Sequence, residues 1–129
     1  MSRQLISPET VHPSPGFSHV AIAEGSIVVH FAGQVALDPQ FGIIGSDSLS
    51  EQTKAAMNNL AKVMAAADVG WDDIVRRTIY TLHPTEYETI TAAIDEVTGG
   101  AAHPAQTIVG ITGLAIPGLL IEIECTAVK

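Results

Sequence analysis

Short apolar runs rich in β-branched and aromatic residues alternate along the chain with turns that contain Gly or Pro. Such runs predict β-strands. Five segments fit this pattern: 17–24, 27–32, 73–82, 105–112 and 118–128. A Gly-containing turn at residues 24–26 predicts that the first two strands form a hairpin, whereas the prolines of residues 1–16 predict an irregular lead-in.

A helical periodicity replaces the strand pattern in two segments. Apolar residues recur at i, i+3, i+4 and i+7 behind a capping box at residues 48–51, which predicts a helix over about 49–67. A second apolar stripe follows a capping box at residues 85–88 and is ended by the glycine pair 99–100. The predicted element order is therefore β-β-α-β-α-β-β.

This order predicts an α+β fold in which two helices cover one face of a mixed sheet. The run over residues 27–32 is apolar on both faces, which is typical of a strand covered on both sides. Because the two helices cover only one face, we expect a second copy of the chain to cover the other. Oligomerisation is thus expected from the pattern alone.

Composition narrows the class of protein. The chain has 129 residues, 47% of them hydrophobic, and we interpret residues 1–129 as a single domain. A formal charge of −8 argues against nucleic acid as a partner, because phosphate binding needs a basic surface. The sequence contains neither an apolar run long enough to span a membrane nor a secretory signal pattern, so a soluble, cytoplasmic protein without a membrane partner is predicted.

Two glutamates on the last strand are candidates for chemistry. Apolar residues alternate with Glu122 and Glu124, so both carboxylates are expected on the face away from the helices. A carboxylate there is costly unless it is hydrogen-bonded, paired or open to solvent. One interpretation is that at least one glutamate lines an inter-subunit pocket and holds a water. The other is that both lie at a wet rim or pair with Arg76 or Arg77.

For the other candidate residues, a structural role is a simpler interpretation than a catalytic or metal-binding one. The five histidines lack metal-binding spacing, and the single Cys125 is expected to be buried, so no metal site is predicted. His30 lies in an apolar run and is interpreted as a core residue with its hydrogen bonds satisfied. The 32–34 segment, Ala-Gly-Gln, is a place where a backbone could approach a ligand closely, but an ordinary β-bulge is the favoured interpretation.

Several segments, taken in order, follow a known pattern. They are Gly16-Phe17-Ser18, Ala32-Gly33-Gln34-Val35, Asp38-Pro39, Glu51-Gln52-Thr53 with Asn59-Leu60 further along the same helix, Asp73-Ile74-Val75, Pro104-Ala105-Gln106-Thr107 and the final strand from Ile121 to Val128. In this order and spacing the chain resembles the Rid (YjgF-type, reactive intermediate deaminase) family from about residue 8 onward. The resemblance implies a chorismate-mutase-like fold assembled as a homotrimer, with three ligand clefts between subunits.

The resemblance also implies a chemistry, from which this chain departs at a decisive position. In active members an arginine in the segment matching 104–107 clamps a substrate carboxylate, and a glutamate matching Glu122 positions the water that hydrolyses 2-iminoacids. Gln106 stands at the position of that arginine, and losing a charged bidentate donor should cost a factor of about 10²–10⁴ in carboxylate binding. Of the remaining implied substrate-binding positions, Gly33 is retained, whereas three others differ: Phe17 for tyrosine, Ala32 for serine and Thr91 for asparagine.

Three hypotheses follow from these residues. The first is a divergent homotrimer that binds a small neutral or weakly polar metabolite, with Gln106 and backbone amides near Gly33 and Thr107 orienting it. If this protein is an enzyme, Glu122 would act as general base in hydrolysis of a C=N bond, without metal or organic cofactor. The second is a non-catalytic ligand-binding or regulatory trimer. The third, RNA cleavage, fits badly with the acidic charge.

Overall fold

The structure, a computed structural model, describes residues 2–129. In this range the chain forms six strands, two α-helices and one turn of 3₁₀ helix at Trp71–Asp73. The strands and helices are β1 (Ser2–Ile6), β2 (Val20–Glu24), β3 (Val28–Val35), α1 (Leu49–Ala66), β4 (Ile74–Thr81), α2 (Tyr87–Thr98), β5 (Ala105–Gly110) and β6 (Ile121–Val128).

The strands form a four-stranded mixed sheet in the order β3-β6-β4-β5 and a separate antiparallel pair, β1-β2. The last strand, β6, lies inside the sheet and pairs antiparallel with both β3 and β4, whereas β4 and β5 are parallel and joined through α2. An isolated bridge between Ser18 and Ala105 connects the segment before β2 to the β5 edge.

Both helices pack on one face of the four-stranded sheet, as predicted. The apolar stripe of α1 buries Met57, Leu60 and Met64 against strand residues such as Ile79 and Ile123. In β6 the predicted alternation is confirmed, because Ile121, Ile123, Cys125 and Ala127 are each at most 4% exposed while the residues between them are half-buried. The predicted α+β class is therefore confirmed.

The first sixteen residues are not uniformly irregular, which corrects the predicted lead-in. Residues 2–6 form β1, which pairs with β2, and the Arg3 guanidinium donates to the carbonyl oxygens of Ile74 and Ala102 at 2.6 and 2.9 Å. The strand and the carbonyl groups that hold residues 2–6 are distant in sequence, so no local periodicity predicts β1. Residues 7–19 lie outside any strand.

Three smaller predictions are wrong. β2 and β3 do not form a hairpin, because β2 pairs with β1 while β3 pairs with β6. The capping box at residues 85–88 does not form, since the N-cap residue of α2 is Glu86 and its side chain makes no capping hydrogen bond. At α1, Ser48 does accept from the Glu51 amide as predicted. His30 is exposed on the outer face of β3, where its ring lies 3.1 Å from the Thr126 hydroxyl.

Neither helix in residues 2–129 is both long and apolar enough to cross a membrane.

Candidate functional site

A cavity of about 330 Å³ opens at the β5 edge of the sheet, on the side of the helices. Gln106 and Ile108, two residues apart on β5, point into it together, and Tyr87 at the start of α2 borders it. Phe17 forms a wall, and its ring meets that of His19 edge-on at 5.2 Å between centroids. The Gln106 amide thus faces a mainly apolar surround.

A buried arginine lies directly behind Gln106. Arg77 of β4 is in register with Gln106, is only 4% exposed, and donates from its Nε to the Gln106 Oε1 atom. Its Nη2 also donates to the Gly16 carbonyl at 3.2 Å and lies 2.9 Å from the Nδ1 atom of His103. Burial lowers the pKa of the Arg77 guanidinium to about 10, which leaves it charged at neutral pH.

The histidine beyond Arg77 is held as one tautomer. A guanidinium has donors only, so the Nδ1 atom of His103 must accept, and its proton is on Nε2. That Nε2 atom lies 2.8 Å from the Asp95 carboxylate, to which it donates. Burial, and then repulsion from Arg77, lower the pKa of His103 in spite of Asp95.

Glu122 lies on the opposite face of the sheet, against the backbone of β3. The β3 pairing shifts register between Phe31 and Gln34, which confirms the predicted bulge. A side chain at Gly33 would overlap the Glu122 carboxylate, so the glycine is what allows this close approach. Burial, followed by repulsion from Glu124, raises the pKa of the Glu122 carboxyl.

The alternative in which these glutamates pair with Arg76 or Arg77 is not found in residues 2–129. Glu124 accepts from the Tyr80 hydroxyl at 2.6 Å. Arg77 is on the other face of the sheet, and Arg76 donates to the Thr107 hydroxyl at 2.6 Å. Glu122 itself forms no ion pair within the described residues.

One chain brings the predicted site residues together only in part. Phe17 and Gln106 line the same cavity. Gly33 and Ala32 are at the β3 bulge near Glu122, and Thr107 is on β5, facing away from Gln106. Thr91 of α2 does not line the Gln106 cavity but a neighbouring one that shares Tyr87 with it, and a side chain at Gly16 would overlap the Thr91 hydroxyl.

The described chain offers no obvious metal centre. Among residues 2–129, no three His, Cys, Asp or Glu side chains are grouped closely enough to hold a metal ion. Cys125 is a free, buried thiol, and burial raises its pKa to about 12, so it is not a reactive nucleophile at neutral pH.

Comparison with known proteins decides the family. The family model described as endoribonuclease L-PSP matches residues 8–129. The chain belongs to this family, the Rid (YjgF-type) family. The Rid-family protein YyfB of Yersinia pestis has a similar structure, with a TM-score of 0.92 and 37% identity, and the match covers 100% of both chains.

Curated Rid relatives are more distant in sequence. A RutC family protein of Synechocystis is 33% identical over 98 residues, covering 75% of each chain. The 2-iminobutanoate/2-iminopropanoate deaminase of Salmonella typhimurium is 29% identical over 107 residues, covering 81% of each chain. This chain is therefore similar to a deaminase within the Rid family.

The resemblance to the Rid family did not point to Arg77, which contacts the candidate site. A signal for it was nevertheless present in the sequence. Arg77 is two residues from Ile79 and four from Thr81, both completely buried, so period-2 alternation places its side chain on the helix face. A charged residue in phase with core positions is uncommon and indicates a specific partner.

Proposed function

We propose that this Rid-family protein binds a small, neutral or weakly polar molecule with a C=N or C=O group in clefts between the subunits of a homotrimer. In these clefts Glu122 activates a water for hydrolysis of the C=N bond. The observation that carries the proposal is the separation of the two halves of the site. Gln106 and Glu122 are on opposite faces of one sheet.

A second copy of the chain is needed to join these halves. β5 and β6 are separated by β4, so their backbones are about 10 Å apart even before the opposed side-chain directions are considered. The outer face of β3 also favours a partner copy, because Val28, which shares that face with His30, is 58% exposed in the single chain. A cleft formed by the Gln106 cavity of one copy and Glu122 of its neighbour satisfies both observations.

The proposed reaction is the hydrolysis of an imine. Glu122 takes a proton from a water as the water oxygen attacks the C=N carbon, and the proton then passes to the nitrogen to give a carbinolamine. The carbinolamine hydroxyl then gives its proton, through Glu122, to the same nitrogen as the C=O bond forms and the C–N bond breaks, and ammonia leaves. The products are a carbonyl compound and ammonia, so atoms and charge balance without a cofactor. The raised pKa of Glu122 suits a general base, since its proton affinity is closer to that needed near neutral pH.

The amide at position 106 selects the substrate. A neutral amide lacks the charged fork that clamps a carboxylate, so we expect 2-iminoacids to be hydrolysed weakly or not at all. The largely apolar walls near Phe17 and Ile108 favour an uncharged molecule instead. Similarity to the Salmonella 2-iminobutanoate/2-iminopropanoate deaminase supports the reaction class rather than the same substrate.

Subunit complementation tests both the cleft and the chemistry. Ammonia release is measured with 2-iminobutanoate and with its neutral amide, for wild type, Gln106→Ala, Glu122→Gln and the two variants co-refolded together. We expect wild type to prefer the amide, Glu122→Gln to lose a factor of about 10²–10⁴ in rate as the general base is removed, and Gln106→Ala to lose about tenfold as one neutral hydrogen bond is removed. The mixture should regain activity, because every mixed trimer contains one cleft in which both residues are intact.

Glu124→Gln is the matched control, since this residue is on the same face and is expected to change the rate little. A stable monomer by light scattering would contradict the inter-subunit cleft. Binding of the amide without ammonia release would contradict catalysis and support the non-catalytic ligand-binding trimer. Fast turnover of 2-iminobutanoate would show that the carboxylate-binding role survives the loss of arginine.

A further inference from the structure

We infer that Arg77 is a positioning residue that fixes the orientation of the Gln106 amide, so that the pocket recognises its ligand through a hydrogen-bond acceptor. The inference rests on the proposed function, in which the Gln106 cavity is the binding site. It assigns a role to a buried residue outside that cavity and names the chemistry of the ligand atom that meets Gln106.

The orientation follows from donor and acceptor chemistry. An amide side chain can turn over and exchange its oxygen for its NH₂ group at little cost when its surroundings permit. Arg77 carries donors only, so the Gln106 atom that meets its Nε must be the oxygen. The opposite orientation would place two donors against each other in a partly buried position and leave the buried Arg77 Nε–H without an acceptor, which is unfavourable.

The NH₂ group is consequently directed toward the cavity. The Nε2 atom of Gln106 donates to no residue within 2–129. It is also not among the buried polar atoms that lack a partner, so it is open to the cavity. A ligand that reaches Gln106 therefore meets a donor. A carbonyl oxygen or an imine nitrogen satisfies it, whereas an N–H or ammonium group does not.

Arg77 is itself held in place by partners on three sides. Besides Gln106, it donates to the Gly16 carbonyl, next to the Phe17 wall of the cavity, and to His103, which is anchored by Asp95. None of these three direct partners is a carboxylate, so the positive charge is only distantly compensated. That charge further polarises the Gln106 amide toward donation and disfavours a cationic ligand.

NMR can test the orientation without knowledge of the natural ligand. ¹⁵N relaxation of side-chain NH₂ groups in the wild-type protein should show a rigid Gln106 amide and a mobile amide at the exposed Gln40. Arg77→Met should make the Gln106 amide mobile. Arg76→Met is the matched control, because Arg76 donates to Thr107 on the other face of the sheet.

A pair of probes of equal ring size tests the consequence for binding. Cyclopentanone offers only an acceptor and pyrrole only an N–H donor. In wild type and Arg76→Met we expect cyclopentanone to bind about fivefold or more tightly than pyrrole, judged by shifts of Gln106 and Phe17 signals. In folded Arg77→Met the preference should fall toward one, because the amide can then turn over.

The outcomes separate this inference from the proposed function. A mobile Gln106 amide in wild type would overturn the inference, even if Arg77→Met did not fold. A cyclopentanone preference unchanged in folded Arg77→Met, or a preference for pyrrole in wild type, would overturn it as well. The Gln106 amide could be rigid in wild type and mobile only in Arg77→Met, while neither probe binds. That result would support the positioning role and contradict the proposed binding site.

Discussion

Gly33→Ala should destabilise the protein only while the Glu122 side chain is present. A Cβ atom at position 33 would lie 2.7 Å from both Cγ and Cδ of Glu122, well inside the ordinary contact distance of about 3.4 Å or more. Overpacking of this kind typically costs about 1–3 kcal/mol. The glycine has no left-handed φ, so alanine also loses less chain entropy on folding, worth about 0.4–1 kcal/mol in the opposite direction.

These magnitudes predict a clear double-mutant cycle. In wild type, Gly33→Ala should lower the free energy of unfolding by about 1–2 kcal/mol. In Glu122→Ala the overlap is absent, so the same change should be neutral or stabilising by up to about 1 kcal/mol. The coupling energy between the two positions should therefore be about 1–3 kcal/mol.

Urea unfolding followed by far-UV circular dichroism measures the four proteins of the cycle. All are compared at one protein concentration, because subunit association would contribute to the apparent stability. Gly25→Ala serves as the control, since its Cβ would meet Val128 and the Lys129 backbone and its cost should be independent of Glu122. An equal cost of Gly33→Ala in both backgrounds would refute the close contact between Gly33 and Glu122.

Three further predictions concern the helix side of the sheet. Gln106→Arg should lower the free energy of unfolding by about 2 kcal/mol or more, because a second guanidinium would face Arg77. Affinity for 2-oxobutanoate, measured by calorimetry, should rise only when Gln106→Arg is combined with Arg77→Met. A stable Gln106→Arg single variant with that affinity would argue against the repulsion. Cys125 should react with Ellman's reagent only after unfolding, and rapid modification of the native protein would contradict its burial. His103 has a lowered folded-state pKa, so its contribution to stability is present above the unfolded pKa of about 6.5 and is lost as pH falls through the folded pKa. The unfolding free energy of wild type should therefore fall more steeply below pH 6.5 than that of His103→Gln, and parallel profiles would contradict a neutral His103 between Arg77 and Asp95.

The local periodicities determined much of the fold. The stripe of α1 and the alternation of β6 predicted which residues are buried, because each depends only on the repeat of one element. The same alternation placed Glu122 and Glu124 away from the helices, and the Ala-Gly-Gln segment predicted the bulge at Gly33. Because these features depend on neighbours within a few residues, they can be seen in the sequence.

Only the tertiary structure decided how these elements meet. β1 pairs with β2 rather than leading irregularly into it, and β3 pairs with β6 rather than with β2, because strand partners are chosen by contacts distant in the chain. The structure likewise places Gln106 and Glu122 on opposite faces and sets Arg77 behind Gln106, although sequence order offers no hint of that neighbourhood. A periodicity determines the direction of a side chain within its element. The partner strand determines what that side chain meets.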